Sequence, residues 1–185
     1  SSVTEMIQKL ADKNLVIYKK YYGVHLTDLG EKHALQIIRK HRLWEHFLVE
    51  SLGLKWDQVH DIAEQLEHID SDLLVDKLDA HLNFPDFDPH GDPIPDKDGN
   101  LKDQDKILLV EARHNQELCI VGVKDSSSVF LKYLEKKKLG LATVIKVTEQ
   151  EEFDDSLNIE TDDQNFQLSA MAAKNIYVQF KNSKK

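Results

Sequence analysis

Six residues between positions 41 and 68 have the types and the spacing to hold a divalent cation. His41 and Glu45 stand four apart, so a helix would carry both on one face. His60, Glu64 and His68 repeat the same interval, and Glu67 follows Glu64 by three. Two such helices packed face to face bring three His and three Glu into one volume, which is how helical bundles build metal sites. Carboxylates withdrawn from water need a compensating positive charge, and a cation supplies it. Imidazole nitrogens beside carboxylate oxygens suit first-row divalent ions, and the lack of thiolate favours Mn(II) or Fe(II) over Zn(II). The single cysteine, Cys119, sits among apolar neighbours and excludes a multi-cysteine zinc or iron–sulfur site. Metal-assisted hydrolysis is a rival use of the same residues. However, no His-Glu-x-x-His sequence occurs, the seven glycines form no phosphate loop, and nothing in the pattern marks a substrate pocket.

The elements around these residues divide a chain of 185 residues unevenly in charge. Residues 1–42 carry a net +4, residues 43–100 a net −12 and residues 101–185 a net −1. A basic start followed by an acidic middle suggests contact with a polyanion and then with cations. Hydrophobic residues make up 41% of the chain, enough for a core. No run approaches the length of a membrane span, and no basic-then-apolar signal segment opens the chain.

Val3, Ile7 and Leu10 predict a helix over 2–14. Residues 15–26 predict a hairpin with Lys19, Lys20 and Gly23 at its turn, and Thr27 caps the next helix. Helix followed by basic hairpin is the second half of a winged helix-turn-helix, with the helix in the major groove and the hairpin tip on phosphate. Thr4, Gln8 and Lys9 are then candidates for DNA contact, and Lys19 and Lys20 for phosphate. Helices are expected over 31–52, over 56–68 and from Ser71. All four prolines fall in a fixed loop over 84–99, and 101–115 reads as a linker. Short strands at regular spacing from Leu118 to Phe180 suggest a small β-barrel. The expected fold class is mainly α with a small β-barrel. Its parts are a partial winged helix-turn-helix domain (1–42), a helical metal-binding and dimerisation domain (43–100), the linker (101–115) and the barrel domain (116–185).

Three segments carry a specific resemblance. They are Leu26-Thr27-x-x-Gly30-x-x-x-Ala34, Lys40-His41-Arg42-Leu43-x-Glu45-x-Phe47-Leu48 and Val59-His60-Asp61-x-Ala63-Glu64-x-Leu66-Glu67-His68, and the loop Pro89-His90-Gly91-x-Pro93-Ile94-Pro95 follows them. In order and spacing the sequence resembles the diphtheria-toxin-repressor family of metal-dependent transcriptional repressors, and most closely its manganese-responsive branch. Residues 116–180 are similar to the FeoA-like barrel that many members carry.

The resemblance implies that His41, Glu45 and His60 share one metal site, which a carboxylate from the barrel, here Asp125, reaches. The second barrel ligand of iron-type members falls at Ser128, a poor ligand. Glu64, Glu67 and His68 match the activating site, with Glu64 where iron-type members have Cys. Asp88 stands where some members have a Cys ligand. Mn(II) is the expected cofactor, then Fe(II), with Zn(II) as a further occupant in crystals. The resemblance implies a cytoplasmic homodimer, built from helices within 43–83, that binds a pseudo-palindromic operator and represses metal-uptake genes, with no catalytic activity. The family's first two helices have no counterpart in a sequence that opens Ser1-Ser2, so the chain as given is expected to bind DNA poorly and to have an incomplete activating site. An accessory metal-binding protein, with the barrel as its working part, is the other alternative to the repressor.

Overall fold

Ser2 opens the first helix with a reciprocal cap: its side chain accepts from the Glu5 N–H, and the Glu5 carboxylate accepts from the Ser2 N–H. The computed structural model describes residues 2–19, 21–112 and 114–181. Helix α1 (Val3–Asp12) runs into an antiparallel hairpin of β1 (Val16–Lys19) and β2 (Gly23–Leu26), turning through Tyr21 and Gly23 at positive φ. Thr27 caps the long helix α2 (Asp28–Glu50). Its first turn lies tight against the end of the preceding segment: a Cβ on Gly30 would stand 1.9 Å from the Leu15 carbonyl oxygen.

Helix α3 (His60–Leu66) is shorter than the expected 56–68. Lys55 to Gln58 form a hydrogen-bonded turn instead, with the Gln58 N–H donating to the Lys55 carbonyl. Helix α4 (Asp72–His81) follows, capped by Ser71. The proline loop packs back on α2, where Arg39 donates to the Pro95 carbonyl and Arg42 to the Pro93 carbonyl. Arg39 is buried and also pairs with Asp79 of α4 at 2.9 Å, which ties α2, α4 and the loop together.

The C-terminal part is a six-stranded antiparallel sheet in the order β3-β8-β4-β5-β6-β7. The strands are β3 (Ile107–Leu108), β4 (Glu117–Val123), β5 (Val144–Gln150), β6 (Leu157–Glu160), β7 (Asn165–Leu168) and β8 (Ile176–Phe180). Among the described residues β3 and β7 do not pair, so the expected barrel is not closed. Two-residue β3 offers little ladder for closure, and helix α5 (Ser128–Lys136) with the short α6 (Ala170–Ala173) covers the apolar face instead. Leu131, Leu134, Ala172 and Ala173 all join the sheet core. The stretch expected as a linker, 101–115, contains β3 and Leu109, which is 1% exposed in that core. With six helices and eight strands among the described residues, the fold is α plus β rather than mainly α. No helix among the described residues is long and apolar enough to cross a membrane.

Candidate metal centre

Helix α2 organises the site because its two apolar clusters fix the neighbours that supply donors. Leu43 packs with Val75, Leu78 and Ile94, seating α4 and the proline loop, and Leu48 packs with Val59 and Ala63, seating α3. Between these clusters Glu45 is 2% exposed. Its Oε1 lies 3.0 Å from His41 Nε2 and 3.2 Å from His60 Nδ1, and its Oε2 lies 3.5 Å from His90 Nδ1. A hollow of about 370 Å³ opens there, lined also by Glu64, Glu67, Asp88 and Asp92.

Two overlapping groups could hold a cation. One ligand atom each from His41, Glu45 and His60 lies within 4.8 Å of the others, and the same holds for Glu45, Asp88 and His90. Both donor sets are imidazole nitrogen and carboxylate oxygen, which fits a divalent first-row cation. Glu45 belongs to both. The hydrogen-bond network assigns the tautomers. His41 Nδ1 faces the Glu67 carboxylate at 2.7 Å and therefore carries hydrogen, which turns Nε2 toward Glu45 and His60. His90 Nε2 faces the Trp56 carbonyl at 2.9 Å and carries hydrogen for the same reason, which turns Nδ1 toward Glu45. Each ring is held by the nitrogen that does not face the shared carboxylate, the usual outer support of a metal-binding histidine.

Charge follows from this packing. Burial would raise the Glu45 carboxyl, but hydrogen bonds from His41 and His90 outweigh it and hold the group well below the usual range. Burial would lower His90, yet its contact with Glu45, aided by Asp88, pushes it up to about 9. His41 is raised, chiefly by its hydrogen bond to Glu45, against the opposing effect of burial. Asp88 is pushed up to about 6 by burial, although its Oδ1 accepts the N–H groups of His90 and Asp92. Its Oδ2 faces the Arg42 guanidinium at 3.6 Å.

These directions set a stability profile for the protein without metal. The His90 contribution is complete below its ordinary 6.5 and disappears as pH rises through about 9. Glu45 acts at the opposite end, where its contribution is lost as pH falls below the ordinary carboxylate range. Asp88 opposes Glu45, lowering stability as pH rises from 3.8 toward 6. Differential scanning calorimetry of the chelator-treated protein should show Tm falling by on the order of 5 °C from pH 6.5 to pH 9. His90→Gln should flatten that decline; an unchanged decline in this variant would remove His90 as its source.

The other expected site residues are placed as follows. Glu64 lines the same hollow from an exposed position. Glu67 also lines it, but α3 ends at Leu66, so His68 leaves the helical stack and is exposed outside the hollow. Asp125 accepts the Ser127 N–H at 2.8 Å and lines a separate groove with Val129, Tyr133 and Met171; its neighbour Ser126 lines the hollow. Ser128 begins α5. Thr4, Gln8 and Lys9 are exposed on α1, which has no buried residue, and Lys19 is exposed on β1. Lys20 lies outside the described residues. Sequence reasoning missed His90 and Arg42 as parts of the site, although both stood inside quoted motifs. The signal for His90 was an imidazole held between Pro89 and Gly91 in a loop too rigid to be arbitrary.

Known proteins share this arrangement of segments. Residues 27–96 match the family described as the metal binding and dimerisation domain of iron dependent repressors, and residues 107–180 match the FeoA domain. HTH-type transcriptional regulator MntR of Bacillus subtilis is 32% identical over 119 residues, covering 63% of this chain and 75% of MntR. The chain belongs to the diphtheria-toxin-repressor family. Within that family, iron-dependent repressor IdeR of Mycobacterium tuberculosis is 34% identical over 94 residues, 51% of this chain. The matched part spans only 41% of the length of IdeR. A solved family structure, a manganese-dependent transcriptional repressor in complex with manganese, is similar with a TM-score of 0.86 at 38% identity over 96% of this chain and 82% of that one. ScaR with bound Zn2+ is similar at 0.78 and 38%, over 96% of this chain and 84% of that one.

Proposed function

We propose that the chain is a metal-responsive transcriptional repressor that controls metal-ion homeostasis genes, with Mn(II) the preferred cation and Fe(II) next. The observation that carries this reading is Glu45: one buried carboxylate with imidazole partners on both oxygens, in a chain whose relatives include an iron-dependent repressor and, among solved structures, a manganese-dependent one. A bound divalent cation would compensate Glu45 and Asp88 and take the place of the proton on His90. His41, Glu45 and His60 form one site, and Asp88 and His90 extend it through Glu45. Glu64, Glu67 and His68 belong to the activating site, joined to the first by the Glu67–His41 hydrogen bond.

In this reading α1 with β1 and β2 forms part of a winged helix-turn-helix, reading DNA through Thr4, Gln8 and Lys9. The helices within 43–83 form the homodimer face, consistent with the exposure of Leu73, at 71%, and of its neighbour Leu74 on α4. The β-unit begins at about residue 107, where β3 joins the sheet, and the protein acts in the cytoplasm on a pseudo-palindromic operator.

The test is fluorescence anisotropy of the full-length protein on duplex DNA from upstream of metal-uptake genes, with and without Mn(II) at fixed salt. Binding tightened at least tenfold by Mn(II) is the expected result. Mn(II) binding with no DNA binding would replace the repressor with the accessory-protein reading. Lys19→Ala should weaken all duplexes alike and lower the salt slope by about 1, as loss of one phosphate contact requires. A sequence-selective loss would move Lys19 from phosphate to base contact.

A further inference from the structure

The turn between α2 and α3 does more than connect them. Trp56 packs against the sheet core, and its ring stacks on His90 with centroids 6.3 Å apart and planes 16° apart. Its carbonyl takes the His90 Nε2 hydrogen at 2.9 Å. On either side, Lys55 Nζ pairs with Glu135 of α5 at 2.5 Å, and Asp57 Oδ2 lies 3.6 Å from Lys132 Nζ of α5. The Asp57 side chain is 2% exposed, and its Oδ1 has no hydrogen-bond partner among the described residues. Burying an oxygen without a partner costs stability, which the other contacts of the turn must offset. From the opposite side, the Val123 N–H of β4 donates to the His90 carbonyl, and Gly91 lies against the backbone of Val121 and Gly122. His90 therefore touches both the turn and the sheet, while its remaining nitrogen faces Glu45.

We propose that Trp56 is a positioning residue that couples His90 to the C-terminal β-unit, so that a cation held by Glu45, Asp88 and His90 tightens the seating of that unit on the helices. This rests on the metal-centre reading above. Fixing His90 through Nδ1 fixes its Nε2 donor and the plane of its ring, and both bear on Trp56. Trp56 in turn packs, partly buried, against the sheet core to which α5 contributes. Lys55 and Asp57 hold the turn to α5 in register. The carbonyl of Trp56 survives side-chain truncation, so coupling and cation binding are separable by mutation.

Two measurements on the full chain decide it: calorimetric titration with Mn(II), and amide hydrogen exchange at Val123 and across α5 with and without Mn(II). In wild type, Mn(II) should slow exchange at these amides at least tenfold. Trp56→Ala should bind Mn(II) within about fivefold of wild type, because the carbonyl partner of His90 remains, but should lose that protection. Trp56→Phe should restore most of it. Lys132→Ala removes the cation that faces the buried Asp57 carboxylate and loosens the turn on α5; it should reduce the protection in part. Mn(II) binding with no change in exchange in wild type, or full protection in Trp56→Ala, overturns the coupling and leaves the metal centre standing. A wild-type titration with no binding overturns the metal centre and the coupling with it.

Discussion

Glu45→Ala is expected to remove cation binding at both ligand groups at once, weakening Mn(II) by more than about 100-fold. Glu45 Oε1 faces His41 and His60, and Oε2 faces His90, so no other side chain is shared by the two groups. The same change removes the partner that keeps His41 and His90 raised. Breaking a buried charge pair from one side costs roughly 3 kcal/mol. The variant should therefore melt earlier than wild type at neutral pH, even without metal. Glu45→Gln retains the shape and should separate the two losses, with binding gone and less of the stability lost. Glu152→Gln, an exposed carboxylate outside the hollow, is the control that leaves both the buried pairs and the donors intact. Isothermal titration and calorimetry read both effects. Wild-type affinity in Glu45→Ala would mean that the cation binds elsewhere.

Gly91→Ala is expected to lose the Asp88 and His90 donors while sparing His41, Glu45 and His60. A Cβ at residue 91 would stand 2.0 Å from the Val121 carbonyl oxygen and 2.5 Å from Gly122 Cα, and the residue has φ of +84°. Both neighbours are backbone, so neither can rotate away. The positive φ adds strain for any L side chain. Together these should cost more than about 3 kcal/mol, or be relieved by the loop lifting off β4. Lifting breaks the hydrogen bond from the Val123 N–H to the His90 carbonyl and carries Nδ1 away from Glu45. Titration should then show cation binding at the Asp88 and His90 group lost and that at the remaining group kept. Gly140→Ala, where an added Cβ meets nothing within 4 Å, should leave both stability and binding unchanged. Equal Tm and equal stoichiometry in Gly91→Ala and wild type would show that the loop tolerates separation from the sheet.

Local rules carried far along this chain. Ser2, Thr27 and Ser71 cap the helices that the apolar periodicity predicts, because a hydroxyl before a periodic run satisfies orphan N–H groups whatever the tertiary context. The same rules failed where packing overrode them. Trp56 to Gln58 suit a helix by type, but the turn they form packs Trp56 against the sheet core. The resulting α3 ends at Leu66, so the regular interval from His60 to His68 no longer describes one face. Strand β3, with two residues, is too short to leave a periodic signal and exists because β8 offers it a partner.

By itself the sequence determined the chemistry of the donors and the first of their groupings. His41 and Glu45 share a face because they lie one helical turn apart on α2, and His60 meets them because Leu48, Val59 and Ala63 pack α3 on that helix. Only the tertiary structure decided that Asp88 and His90 would stand beside Glu45. No local interval relates residue 45 to residue 90. Their meeting depends on Arg39 and Arg42 holding the proline loop to α2, on Gly91 allowing backbone to approach backbone, and on Trp56 fixing the imidazole from behind. Each of these is a contact between segments distant in the chain, so its geometry follows from the packed fold and has no signature in spacing.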